Sequence, residues 1–184
     1  MNKYKKITLI SMLSLLLIVL TACGLKLNNE TLASDGGVYK VGEEIWKFQK
    51  DGNVQIYKAN GEQLDSNIKY TYKIKDKEKN YLLTLNQDFE QKGEDYKITL
   101  SQEMVIKINK KKQNIKHFEG VVQSVAVKDS QIESDIPEIK EGLEQNFSAD
   151  SLNKKLNEKV GSKITFDKQD KNYLADKIKT KTSN

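Results

Sequence analysis

Arginine is absent: all 31 basic residues of this 184-residue chain are lysine. Guanidinium forks are the usual device for gripping phosphates and base edges, so their absence argues against a nucleic-acid partner. The charge balance argues the same way. The formal net charge is +5, but Lys3, Lys5 and Lys6 open the chain, and beyond residue 22 there remain 28 lysines against 26 acidic residues. Cysteine, histidine, tryptophan and proline each occur once, as Cys23, His117, Trp46 and Pro137. A single cysteine cannot close an intrachain disulfide, which leaves stability to the core. His117, in "NIKHFEG", has no second histidine and no neighbouring cysteine with which to hold a metal. It reads as a packed or rim residue of a strand. No G-x-S-x-G, Walker loop or G-x-G-x-x-G occurs. The expectation is a protein without catalytic chemistry, cofactor or metal. Acidic residues abound, but pairing of carboxylates is a matter of distance in the fold, not of spacing along the chain. The one suggestive cluster, Glu43-Glu44 beside Trp46, reads as a solvated strand entrance.

Long apolar runs are equally scarce, with one exception. After the three opening lysines, Ile7 to Leu20 is apolar apart from Thr8, Ser11 and Ser14, and Thr21, Ala22 and Cys23 follow. A basic start, a short apolar core and small residues before a cut site describe a secretory signal peptide. The run is short for a spanning helix, which needs about 20 apolar residues. Leu20-Thr21-Ala22-Cys23 resembles the lipobox of bacterial lipoproteins, as found in Gram-positive bacteria. The resemblance implies cleavage between Ala22 and Cys23 and removal of residues 1–22. It also implies diacylglycerol on the Cys23 sulfur, and so a membrane partner at the outer face of the cytoplasmic membrane. Two acyl chains suffice for stable anchoring, where one holds only marginally. Residues 23–37, polar and turn-rich, read as a flexible spacer behind that anchor.

From Val38 to Lys128 the pattern is β. Ile68, Tyr70, Tyr72 and Ile74 alternate with Lys69, Thr71, Lys73 and Lys75, a period of two that describes one buried face and one wet one. Tyr96, Ile98, Leu100 and Met104, Ile106, Ile108 repeat it, and Asp51-Gly52, Asn60-Gly61 and Lys92-Gly93 punctuate the runs as turns. The predicted fold is mainly β, α+β overall: an antiparallel β-meander closed as a small barrel or stacked as a sandwich, with C-terminal helices. Residues 129–184 read as a helical C-terminal part. Its first helix is capped by Asp135 with Pro137 in the first turn and Glu138 at the capping-box position. A second helix carries Leu152, Leu156 and Val160 and stops at Gly161. A short strand, "SKITF", and a lysine-rich tail follow.

Trp46, Phe48, Asp51, Gly52, Tyr72, Ile74, Leu83, Thr84 and Leu85 together resemble the small lipocalin-like domains of Gram-positive lipoproteins. The resemblance implies a β-barrel that binds something; it carries over no ligand residues. Trp46, Tyr70, Tyr72 and Tyr96 are the candidate pocket residues, since aromatic bodies with polar tips suit a partly wet cavity. Two functions remain open. One is a lipid-anchored binding protein for an unknown small molecule, with an unfilled cavity near Trp46. The other is a surface interaction protein with a protein partner, of the immunity, exclusion or host-contact kind, with a filled core. The lysine run "NKKKQN" at 109–114 reads as a solvated hairpin tip, with contact to an anionic lipid or teichoic acid as the second reading.

Overall fold

A computed structural model describes residues 25–182 apart from Ser66 and Lys112; the leader, Ala22 and Cys23 lie outside the described residues. Eight strands run β1 (Val38–Val41), β2 (Glu44–Phe48), β3 (Asn53–Lys58), β4 (Ile68–Asp76), β5 (Asn80–Lys92), β6 (Lys97–Asn109), β7 (His117–Glu133) and β8 (Lys163–Lys168). Each pairs antiparallel with its neighbour in sequence, and β8 returns to pair with β1, so the sheet closes into a barrel. The choice between barrel and sandwich is thereby settled for the barrel. Closure removes every strand edge from the meander except where strands overrun it.

The register explains which residues fill the interior. Tyr39 faces Trp46, Trp46 faces Ile56, Tyr72 faces Leu85, Leu83 faces Ile106, and Phe118 faces Phe166. Alternate residues outward of these are mostly polar, with Leu82, Val105 and Val121 as exceptions, and a second apolar cluster lies on the outside. There Val38, Ile45 and Tyr57 are covered by Leu174 of α4 (Tyr173–Thr182). Gly120 sits on the inner face because a Cβ there would stand 2.4 Å from a methyl of Ile106.

Two boundaries differ from the sequence expectation. A cut at 128/129 falls inside β7, which runs unbroken from His117 to Glu133, with irregular pairing opposite Ser101/Gln102 and Val105/Ile106. "SKITF" is no appendage: as β8 it closes the barrel. The helices α2 (Pro137–Phe147) and α3 (Ala149–Asn157) are therefore an insertion between β7 and β8. Asp135 does not cap α2 either. Ile136 occupies the N-cap without a side-chain bond and Pro137 begins the helix, whereas Ser148 does cap α3 by accepting from the Ser151 amide.

The spacer reading is overturned from Leu25 onward. Leu25, Leu27 and Leu32 are 4 %, 3 % and 0 % exposed and belong to the barrel core. Asn28 caps the short helix α1 (Asn29–Leu32) through a reciprocal capping box with Thr31. A tight turn, Ser34–Gly36, then brings the chain to Gly37. Only glycine fits there: φ is +64°, and a Cβ would stand 2.3 Å from the Phe48 carbonyl oxygen. Three leucines gain more from burial than a polar segment gains from staying in water, at roughly 1.5–3 kcal/mol each.

Candidate functional site

β5, β6 and β7 outrun the barrel. β8 pairs with β7 only from His117 to Val121, while β6 and β7 continue together to Lys97 and Glu133. The overrun is a tongue of sheet whose inner face carries Ile98 and Leu100, 1 % and 8 % exposed. α2 and α3 pack on β7 there. Ser130, the cross-strand partner of Leu100, donates to the Phe147 carbonyl at 2.6 Å, and the Val127 amide donates to Asn153 Oδ1 at 2.8 Å.

Six aromatic rings inside the barrel contact one another, and Tyr81 belongs to the same core. Phe48 meets Tyr39 at 5.6 Å, Tyr72 at 5.0 Å and Trp46 at 6.1 Å between centroids, the first two edge-on. Phe166 stacks on Phe118 at 4.6 Å and 10°, and takes the edge of Trp46 at 5.8 Å. Trp46 is 4 % exposed and Tyr72 1 %; they are packing, not lining. Trp46 Nε1 donates to Glu44 Oε2 at 2.7 Å, toward one mouth of the barrel. The Tyr72 hydroxyl points to the opposite mouth and donates to the Gln49 carbonyl at 2.7 Å.

The four candidate pocket residues therefore do not converge. Tyr70 is half-buried near Glu44 and Asp65, and burial, then those carboxylates, push its hydroxyl up. Tyr96 lies far along the tongue, where its hydroxyl accepts from Gln91 Nε2 at 3.0 Å. The clefts lie elsewhere. An open groove of about 730 Å³ at the Glu44 mouth is lined by Lys40, Glu43, Glu44, Lys58, Asn60 and Leu64. A smaller one of about 420 Å³ at the other mouth is lined by Leu25, Lys26, Glu30, Ser34, Asn114 and Ile115. Leu25 and Leu32, which cap the aromatic core at that second mouth, were not among the sequence candidates. An Asn-x-x-Thr capping pattern in "LKLNNETL" marks the short helix that carries Leu32, but nothing in the segment marks the burial of the leucines.

His117 Nδ1 pairs with Asp167 Oδ1 across the β7–β8 ladder, both side chains about half exposed. This is a surface cross-strand pair. Among the described residues, no group of three or more His, Cys, Asp or Glu side chains could hold a metal ion, and no helix is long and apolar enough to cross a membrane.

Tyr39 is the exception to an otherwise satisfied interior. It is fully buried, and its hydroxyl has no hydrogen-bond partner among the described residues. Burial, followed by Asp35 and Tyr72, pushes its ionisation far above the ordinary tyrosine range, and burial with Asp51 pushes Tyr72 up to about 12. An unpartnered buried hydroxyl costs about 1–3 kcal/mol, so Tyr39→Phe is expected to raise the unfolding free energy by about 1 kcal/mol. The unfolded chain ionises both tyrosines near pH 10 while the folded barrel keeps them neutral. Their contribution is intact below that pH and is lost as the pH climbs toward the folded values. Urea denaturation between pH 9 and 11 is expected to show a shallower alkaline loss in Tyr39→Phe than in wild type; equal slopes would contradict it.

Comparison with known proteins gives no significant match: no family model matches this chain, nor does any curated protein or solved structure.

Proposed function

We propose that this chain is a lipid-anchored, extracytoplasmic, non-catalytic protein that acts through its outer surface on a macromolecular partner. The observation that carries this reading is the filled barrel: Trp46, Phe48, Tyr72, Phe118 and Phe166 occupy the interior by touching one another. A ligand-holding barrel needs a cavity of about 300–1,000 Å³ that encloses most of its ligand. The clefts at the two mouths are open grooves instead. The anchor rests on the lipobox at Leu20–Cys23 and the leader before it.

A second reading, a small ligand held at the rim, is favoured by the groove between Glu44, Lys58 and Leu64. Native mass spectrometry of the chain purified from the cells that make it separates the two. A mass without small-molecule adduct supports the surface reading, and a stoichiometric adduct lost in Leu64→Asp would overturn it. The anchor has its own test. Cys23→Ser is expected to move most of the protein out of the membrane fraction, and retention at the wild-type level would remove Cys23 as the tether.

A further inference from the structure

The described chain begins at Leu25, two residues after the proposed anchor. Two extended residues span at most about 7 Å. Leu25 is not loose at that point: its carbonyl accepts from the Tyr81 hydroxyl at 3.0 Å, and its side chain is buried in the barrel mouth. A lipid on Cys23 therefore has no spacer to lift the barrel. The mouth that holds Leu25 must lie at the headgroups.

The same mouth gathers two hairpin tips. The Lys110 amide donates to the Lys79 carbonyl at 3.2 Å, joining the β6–β7 tip to the β4–β5 tip. Asn114 and Ile115 share a groove with Leu25 and Lys26. On these three segments stand Lys26, Lys77, Lys79, Lys110, Lys111, Lys112 and Lys116, against Glu30, Asp35, Asp76 and Glu78. Lys110 is turned inward, over the Tyr81 ring and onto Asp76. Lys26, Lys77, Lys79, Lys111 and Lys116 are exposed. An excess of ammonium groups meets the negative charge of a lipid surface where the tether delivers it. The half-buried Ile115 lies among them.

We infer that this mouth of the barrel docks on the anionic surface of the bilayer, through Lys26, Lys79, Lys111 and Lys116, and so fixes the orientation of the whole domain. This rests on the tether reading for its placement. Docked in this way, the barrel points the tongue of β5–β7 and the helices α2 and α3 away from the membrane. β7 alone, at about 3.3 Å per residue, carries the chain on the order of 50 Å from one end to the other. The surface offered to a partner is then the tongue end.

The test is an acetylation footprint of the full chain, expressed with its leader and reconstituted into phosphatidylcholine vesicles with or without phosphatidylglycerol. With the anionic lipid, Lys26, Lys79, Lys111 and Lys116 are expected to react about fivefold more slowly, the factor one lysine gains at an anionic surface. Lys154, Lys155 and Lys159, on and beyond α3, are expected to be unchanged. Salt at about 1 M, where the Debye length is about 3 Å, is expected to abolish the difference. In the charge-reversed variant Lys26→Glu/Lys111→Glu/Lys116→Glu, whose changes are all exposed, Lys79 is expected to lose its protection while Trp46 fluorescence stays native. Equal reactivity of both ends, or no effect of the anionic lipid, would overturn the docking. Protection by soluble polyglycerol phosphate with neutral vesicles would overturn the bilayer as its occupant. Intact mass reads the tether independently. A protected mouth on a chain without lipid would remove the tether and keep the docking, and a lipidated chain with a reactive mouth would do the reverse.

Discussion

Phe48→Ala is expected to lower the unfolding free energy by about 3–5 kcal/mol, the usual cost of deleting a buried phenyl ring. Phe48 is 1 % exposed and stands at the crossing of the interior, in ring contact with Tyr39, Trp46, Tyr72 and Phe166. Its loss removes transfer energy and leaves a void that four large, rotamer-restricted neighbours cannot collapse to fill. Aromatic pairs add about 0.5–1.5 kcal/mol each beyond the area they bury, which places this site near the top of the range. A domain holds only about 5–15 kcal/mol in total, so the variant is expected to be folded at low temperature and marginal when warm. Trp46 is the single tryptophan and one of the neighbours, so urea denaturation followed by its fluorescence reports the change directly. A loss under about 1 kcal/mol would mean the interior is loosely filled. The surface reading of function would then lose its support.

Leu32→Ala is expected to cost about 2–5 kcal/mol, the range for a fully buried leucine. The size of this effect matters more than usual, because a flexible spacer would give none. Leu32 is 0 % exposed and lies in the same cluster as Phe48 and Tyr72, so the segment after the anchor is part of the barrel. The Tyr81 hydroxyl holds that segment by donating to the Leu25 carbonyl at 3.0 Å. Exposed Glu30→Ala, on the same short helix, is the control and is expected to stay within about 0.5 kcal/mol. Equal small effects at both positions would restore the spacer and detach the orientation argument from the tether.

The strands of this protein are legible because their evidence is local. The alternation of Ile68, Tyr70, Tyr72 and Ile74 becomes β4, and the runs around Ile98 and Ile106 become β6, since side chains one residue apart point to opposite faces whatever the partner strand. Helices α2 and α3 are legible for the same reason, through Pro137 in the first turn of one and Leu152 and Leu156 at helical spacing on the other. The candidate site was less legible. Four aromatic residues look alike along the chain, yet Trp46 and Tyr72 turn into the interior and point to opposite mouths. Tyr96 stands on the tongue. Being on a buried face does not say whether the face lines a cavity or fills it; that depends on the summed volume of residues from all eight strands.

By itself, then, the sequence determined the strand class, the alternation of faces, the absence of a disulfide and the lack of any nucleotide-loop or nucleophile motif. Each follows from residue types or from periods of a few positions. Tertiary structure alone decided that the meander closes, because closure is a pairing between Tyr39 and Lys168, more than a hundred residues apart. It alone decided that α2 and α3 are an insertion, that the barrel is full, and that Leu25, Leu27 and Leu32 plug one mouth. Burial of those leucines depends on a space bounded by distant strands, and no pattern inside "GLKLNNETL" measures that space.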